Sequence, residues 1–156
     1  MTTIRFFIGL DDTDAPDGMC TTWLGTLLAN LLEKTGMRVL SARLVRLNPT
    51  IPYKTRGNAA ISLYVRGDPD YAFTLACDLV SRYAAFPCEN TNPGVVVSIR
   101  RIPSDFYWQA VLGHCRIDEA RAVLQRYALL FQGYKNGRGL IGATAAVCSE
   151  FPDYTW

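Results

Sequence analysis

No two cysteines in this sequence are spaced as a CxxC pair, and the five present (Cys20, Cys77, Cys88, Cys115, Cys148) are odd in number and scattered, which argues against a zinc ribbon or a disulfide framework and fits a reducing compartment. No stretch approaches the roughly 18 consecutive apolar residues of a membrane span, and the N-terminus lacks a basic region followed by an apolar one. The chain is therefore expected to be cytoplasmic, with no membrane partner. Charge of one sign is also missing: 16 basic against 14 acidic side chains give a formal +2, too little to imply nucleic acid by itself. The single histidine, His114, has no neighbour in sequence to complete a nucleophilic triad and reads as structural. Low-complexity tracts are absent too, and 49% apolar with 19% charged residues is ordinary globular composition, able to bury a core.

What is present reads as alternating strands and helices. Thr3 to Leu10 is a short, largely apolar strand that ends in the acidic run Asp11-Asp12-Thr13-Asp14. After the Pro16-Asp17-Gly18 turn, Leu24, Leu27, Leu28 and Leu31 recur at helical spacing, so a helix over Thr22 to Thr35 is expected, closed by Gly36. Strands follow at Val39 to Leu47 and Ala59 to Val65, a helix at Tyr71 to Ala85, and a strand at Val95 to Ile99. That order is βαββαβ, the ferredoxin-like arrangement of an α/β (α+β) fold, with two helices on one face of an antiparallel sheet. From Asp105 the pattern turns helical, with a helix starting near Ile117 or Asp118 and a second apolar segment after Gly139. The expected organisation is an α/β domain over 1–103 and a C-terminal, mostly helical segment over 104–156.

The acidic run carries the chemistry. Three carboxylates in four residues (Asp11, Asp12, Asp14) raise one another's pKa unless a cation intervenes. Carboxylate donors suit Mg²⁺, which commonly arrives with substrate phosphates. A solvated acidic turn is the plain alternative for such spacing. Gly18 then permits a turn before Thr21 and Thr22, two hydroxyls at the start of a helix, where unpaired N–H groups and the helix dipole favour phosphate; one of them capping the helix is the plain reading. Arg38, Arg43, Arg46, Lys54 and Arg56 fall in one stretch without an acidic residue, suggesting a local anion-binding face. Lys54 and Arg56 could clamp phosphate oxygens, with Gly57 allowing close backbone approach. Gly137-Arg138-Gly139 is glycine-rich but matches neither the P-loop pattern nor the dinucleotide fingerprint in a strand-to-helix setting.

Four segments, IGLDDTDAPDGMCTT (Ile8 to Thr22), RLVRLNPTIPYKTRGNAA (Arg43 to Ala60), TNPG (Thr91 to Gly94) and GRGLIGA (Gly137 to Ala143), together resemble the archaeal isoleucine-tRNA 2-agmatinylcytidine synthetase family, in that family's order. The resemblance covers the family's kinase-type and ferredoxin-like parts; its OB-fold and zinc ribbon have no counterpart in these 156 residues. It implies ATP and Mg²⁺ as cofactors. It also implies phosphorylation of the C2 carbonyl oxygen of a wobble cytidine, then attack by an amine, agmatine. Attaching phosphate turns a poor leaving group into a good one, so the protein must mainly position reactants and neutralise charge.

By the same resemblance, Asp11, Asp12 and Asp14 are metal ligands and Thr21 is the autophosphorylated threonine. The catalytic set is then Thr21, Asp12 and Lys54, and the nucleotide-binding set Gly18, Thr22, Arg56, Asn58, Gly137, Arg138 and Gly139. The expected partners are ATP, the amine, and tRNA bound directly or through a separate RNA-binding chain. Two other readings stay open on the residues alone: a non-catalytic RNA-binding or assembly subunit, and an amine ligase acting on a free small molecule.

Overall fold

The structure, a computed structural model, describes residues 3–52 and 57–149. Strand β1 (Ile4–Asp11) leads into helix α1 (Thr21–Lys34), β2 (Arg38–Arg46), β3 (Ala59–Gly67), α2 (Pro69–Tyr83) and β4 (Gly94–Ser98). Then follow α3 (Asp105–Leu112), α4 (Ile117–Tyr127), β5 (Leu130–Gly133) and α5 (Gly139–Val147). The sheet order is β2-β3-β1-β4-β5, antiparallel throughout. Its first four strands have the ferredoxin-like order, in which each βαβ crossing leaves room for one strand of the other half. Among the described residues no helix is long and apolar enough to cross a membrane.

Alternation along β1 explains the two layers. Phe6, Ile8 and Leu10 are buried against Leu24, Leu28 and Leu32 of α1 and Ala72, Ala76 and Val80 of α2, forming one core. Gly36 ends α1 with φ 91°, and Asp68 opens α2 by accepting hydrogen bonds from the Asp70 and Tyr71 N–H groups ahead of Pro69, a cap worth about 1 kcal/mol. Phe7 and Gly9 of β1 face a second core, built by Phe106 and Ala110 of α3, Ala120 and Leu124 of α4, and Leu140, Ala143 and Val147 of α5.

Helix α5 lies unusually close to the sheet because small residues meet there. A Cβ on Gly9 would strike the Ala143 carbonyl, and one on Gly94 would strike the backbone of Gly139 and Leu140. Backbone cannot swing aside as a long side chain can. Gly94→Ala should therefore lower stability by about 2–3 kcal/mol in a urea melt, and an unchanged midpoint would show that α5 stands further off.

The C-terminal segment also contributes strand β5, which the sequence pattern does not announce. It pairs with β4 from Gly94↔Gly133 to Val97↔Leu130. Four residues, Leu-Phe-Gln-Gly, without a β-branched side chain, leave no alternation to detect.

Candidate active site

The acidic loop is held from both ends. Asp12 adopts φ 60°, a left-handed conformation that Asp tolerates better than most residues, and its Oδ2 accepts the Asn92 N–H at 2.9 Å. Ala15 and Gly18 close a small bridge (Ala15 N–H to Gly18 O, 2.9 Å), and Met19 at φ 57° turns the chain into α1. Neither threonine caps that helix: the N-cap is Cys20, without a side-chain hydrogen bond. Thr21 is instead the first helical residue, buried, with its Oγ1 turned back to accept from the Thr13 hydroxyl (2.9 Å) and the Thr13 N–H (3.3 Å). Thr13→Val keeps the shape and removes the hydroxyl donor. It should destabilise the protein by about 1–2 kcal/mol by chemical denaturation, and no change would mean that the Thr13–Thr21 bond is not formed.

The Thr91-Asn92-Pro93-Gly94 turn ties this loop to the glycine-rich one. The Thr91 hydroxyl donates to the Asp14 carbonyl at 2.6 Å, while the Asn92 carbonyl accepts the Gly139 N–H at 2.8 Å. Gly137, at φ 77°, and Arg138 lie between β5 and α5, so the Gly137-Arg138-Gly139 segment does occupy a strand-to-helix turn. The segment still matches neither the P-loop pattern nor the dinucleotide fingerprint, and β5 before it is too short to be seen in the sequence. Gly142 then abuts the Asp11 carboxylate, and a Cβ there would overlap it.

These segments meet in a cleft of about 230 Å³. It is lined by Asp11, Asp12, Asp14, Cys20, Thr21 and Thr22 on one side, Arg138, Ile141 and Gly142 on another, and by Leu44, Leu47, Ile51 and Gly57 to Ala59 on a third. The α3 end closes it with Ala110 and Gly113 to Cys115. Asn48, buried, fixes the distal wall: its Nδ2 donates to the Gly113 carbonyl (2.9 Å), and its carbonyl accepts from Asn58 Nδ2 (2.8 Å).

Burial, then the Asp12 charge, raises the Asp11 carboxyl well above its usual range, and the Asp14 charge adds to this. Asp12 is raised to about 6 by burial; the Asn92 N–H, and the charges of Arg138 and Lys135, work against that rise, and Asp14 for it. The Cys115 thiol, pushed up to about 11 by burial and the Glu119 charge, stays protonated at neutral pH and is no nucleophile.

Of the expected site residues, Asp11, Asp12, Asp14, Thr21, Thr22, Asn58 and Arg138 come together on this cleft. Gly18, Gly137 and Gly139 do not line it; they shape the turns behind it. Lys54 and Arg56 lie outside the described residues. His114, read as structural, lines the cleft and is exposed. Thr13, Asn48 and Asn92 escape a reading of the sequence, since a buried polar residue that braces a loop has no spacing signature.

Among the described residues no three His, Cys, Asp or Glu side chains converge as a metal cage. Asp12 Oδ2 accepts the Asn92 N–H while the Asp11 carboxylate abuts Gly142, and the Asp12 charge acts on Asp11. The donors fit a cation shared with phosphate oxygens: Mg²⁺ takes one or two carboxylates beside a polyphosphate, and burial first, with nearby acidic charge adding to it, opposes the ionisation of Asp11 and Asp12.

The sequence model of the TiaS TCKD domain matches residues 7–71, from β1 into α2. The isoleucine-tRNA 2-agmatinylcytidine synthetase TiaS of Methanocorpusculum labreanum is 55% identical over 150 residues, 96% of this chain and 36% of that protein. Over nearly its whole length this chain is similar to part of TiaS. The Pyrococcus horikoshii TiaS is 43% identical over 155 residues, 96% of this chain and 37% of its own length. Among solved structures, the complex of TiaS with its isoleucine tRNA and ATP superposes with a TM-score of 0.88 at 39% identity, covering 94% of this chain and 36% of that one. The complex of TiaS with the same tRNA, AMPCPP and agmatine gives 0.86 at 36% identity, covering 94% and 37%. The chain thus spans little more than a third of the TiaS proteins it matches. The matched TCKD region includes the acidic loop and α1 but ends before Asn92 and Arg138, so the cleft draws on residues beyond it.

Proposed function

We propose that this chain carries the ATP-using site of 2-agmatinylcytidine synthesis on an isoleucine tRNA, phosphorylating the cytidine C2 carbonyl oxygen for attack by agmatine. The observation that supports the reading is the meeting, in one cleft, of the acidic loop, the Thr21 hydroxyl, the N-terminal ends of α1 and α5, and Arg138. Helix N-termini and a guanidinium attract phosphate, and carboxylates beside them attract the cation that accompanies it. Mg²⁺ held by Asp11 and Asp12, with Asp14 adding charge nearby, would neutralise the triphosphate and stabilise charge that develops in phosphoryl transfer.

Arg138 orients phosphate oxygens opposite the acids, and Thr22 and Asn58 offer hydrogen bonds at the mouth. Lys54 and Arg56 complete the anion clamp in this reading. The apolar wall from Leu44 to Ile51 excludes water from a phosphorylated intermediate that water would hydrolyse. Thr21 is the proposed acceptor of the γ-phosphoryl group: its Oγ1 bonds to the γ-phosphorus as the bond to the β-phosphate oxygen breaks and ADP leaves, and the hydroxyl proton passes to a carboxylate of the acidic loop. A hydroxyl has two acceptor sites, and Thr13 fills both, so transfer requires one Thr13 bond to open; the donors of Thr13 then meet the new phosphate oxygens.

The test incubates the protein with γ-labelled ATP and Mg²⁺, and follows label on the protein and free phosphate for wild type, Thr21→Ala and Arg138→Gln. Label on wild type that is lost in Thr21→Ala, with turnover slowed in Arg138→Gln, is the expected result. Equal labelling and turnover in all three would defeat the assignment.

A further inference from the structure

The strand register places three arginines side by side on the sheet. Arg5 of β1 pairs with Arg66 of β3, and Arg66 pairs in turn with Arg38 of β2. Residues directly opposite across antiparallel strands project from the same face, so the three form one row at strand spacing, about 10 Å from end to end. All three are exposed, and among the described residues none makes an ion pair. Like charges placed opposite one another cost stability, so a row of three arginines paired only with one another is a local penalty for the isolated protein. A ligand that neutralises the row removes that penalty.

The surroundings continue the same charge. The next pair inward on this face is Phe7 with Tyr64, stacked at 4.6 Å between centroids and 21° between planes, and both half-buried. Phe7 pairs on its other side with Ser98, after which β4 runs into exposed Arg100 and Arg101. Arg101 lies close enough for its charge to act on Arg43 of β2. The row stands six residues along β1 from Asp11, about 20 Å at strand rise, on the same face and at the end opposite the cleft.

We infer that the Arg5–Arg66–Arg38 row is a docking face for an RNA backbone. The row is exposed and linear, which suits a polyanion better than a single phosphate: at about 3.4 Å of helix axis per phosphate of one strand, a 10 Å row lying along the axis spans about three phosphates. Arginines arranged this way fix position without reading sequence. The inference rests on the proposed tRNA reading for its choice of polyanion. It deepens that reading by assigning an anchoring surface about 20 Å from the site of chemistry, so that RNA held here can present a nucleotide to the cleft.

The test compares wild type with the triple variant Arg5→Gln, Arg38→Gln, Arg66→Gln in filter binding to an unmodified isoleucine tRNA transcript and to a 20-nucleotide oligouridylate, between 50 and 200 mM salt. The expected result is weaker binding of both RNAs in the variant, with the logarithmic salt slope shallower by about two to three units, one per lost phosphate contact. Thermal stability should hold or rise, because the repulsive row is gone, and nucleotide-dependent labelling of Thr21 should be unchanged. Equal affinity and equal slope for wild type and variant would overturn the inference, whatever happens to ATP use. So would loss of binding to phosphatidylserine vesicles with RNA affinity retained, which would assign the row to a lipid surface. A failure of Thr21 labelling in both proteins, with the salt slope still shifted, would instead count against the proposed chemistry and leave the RNA face standing.

Discussion

Asp12→Asn should lower ATP turnover by about 10²-fold or more while making the nucleotide-free, Mg²⁺-free protein more stable at neutral pH. The activity loss follows from removing one carboxylate from the proposed cation and triphosphate site, where charge neutralisation is worth several kcal/mol. Asparagine keeps the rest of the geometry: it tolerates φ 60° and still offers an oxygen to the Asn92 N–H.

The stability gain follows from the direction of the shift. Asp12 is raised to about 6, so the folded protein holds its proton more tightly than the unfolded chain does. Wild-type stability from this group is then fully present below the unfolded value near 4 and is lost as pH rises through about 6. The variant has no such loss. Its advantage should be absent below about pH 4 and complete above about pH 6, at roughly 1 kcal/mol once solvent screening is discounted. Adding Mg²⁺ and ATP should reverse the ranking, because only wild type gains from binding. Thermal melts across pH, with and without Mg-ATP, check both halves; a wild type that is the more stable protein when ligand-free at about pH 7.5 would contradict the assignment.

Gly142→Ala should separate activity from folding in a different way. Alanine is a better helix former than glycine by about 1 kcal/mol, which favours α5. The added methyl, however, overlaps the Asp11 carboxylate, so either that side chain turns or α5 shifts. A displacement of about 1 Å at the proposed metal-binding acid is enough for a loss of about 10²-fold. Steady-state ATP turnover measured beside a denaturant melt should show the rate falling far more than stability. Turnover equal to wild type would mean that Asp11 has room to move without consequence.

The ferredoxin-like half is legible in the sequence because its signals are local and repeated. Leucines at helical spacing announce α1, and a short, largely apolar run ending in an acidic cluster announces β1. Asp11, Asp12, Asp14 and Thr21 stand out for a similar reason, since like charges packed into one loop beside a helix start are chemically conspicuous. The other wall of the cleft, Asn58 and Arg138 included, is reached from the sequence only through the family resemblance, because its meaning is tertiary. Arg138 comes to the cleft once β5 joins the sheet edge and the backbone of Asn92 and Gly94 seats the start of α5. His114 reaches the cleft only because Asn48 anchors the loop after β2 to Gly113. The arginine row is likewise invisible along the chain, its members standing 28 to 61 positions apart until strand pairing aligns Arg5, Arg38 and Arg66.

The most direct measurement is a crystal structure of this protein with Mg²⁺ and a non-hydrolysable ATP analogue. The triphosphate is expected in the cleft, its oxygens sharing the cation with Asp11 and Asp12 and lying within hydrogen-bond reach of Arg138, with the terminal phosphate facing Thr21. A nucleotide bound elsewhere, with the acidic loop unchanged and the cleft filled by water, would contradict the proposed site.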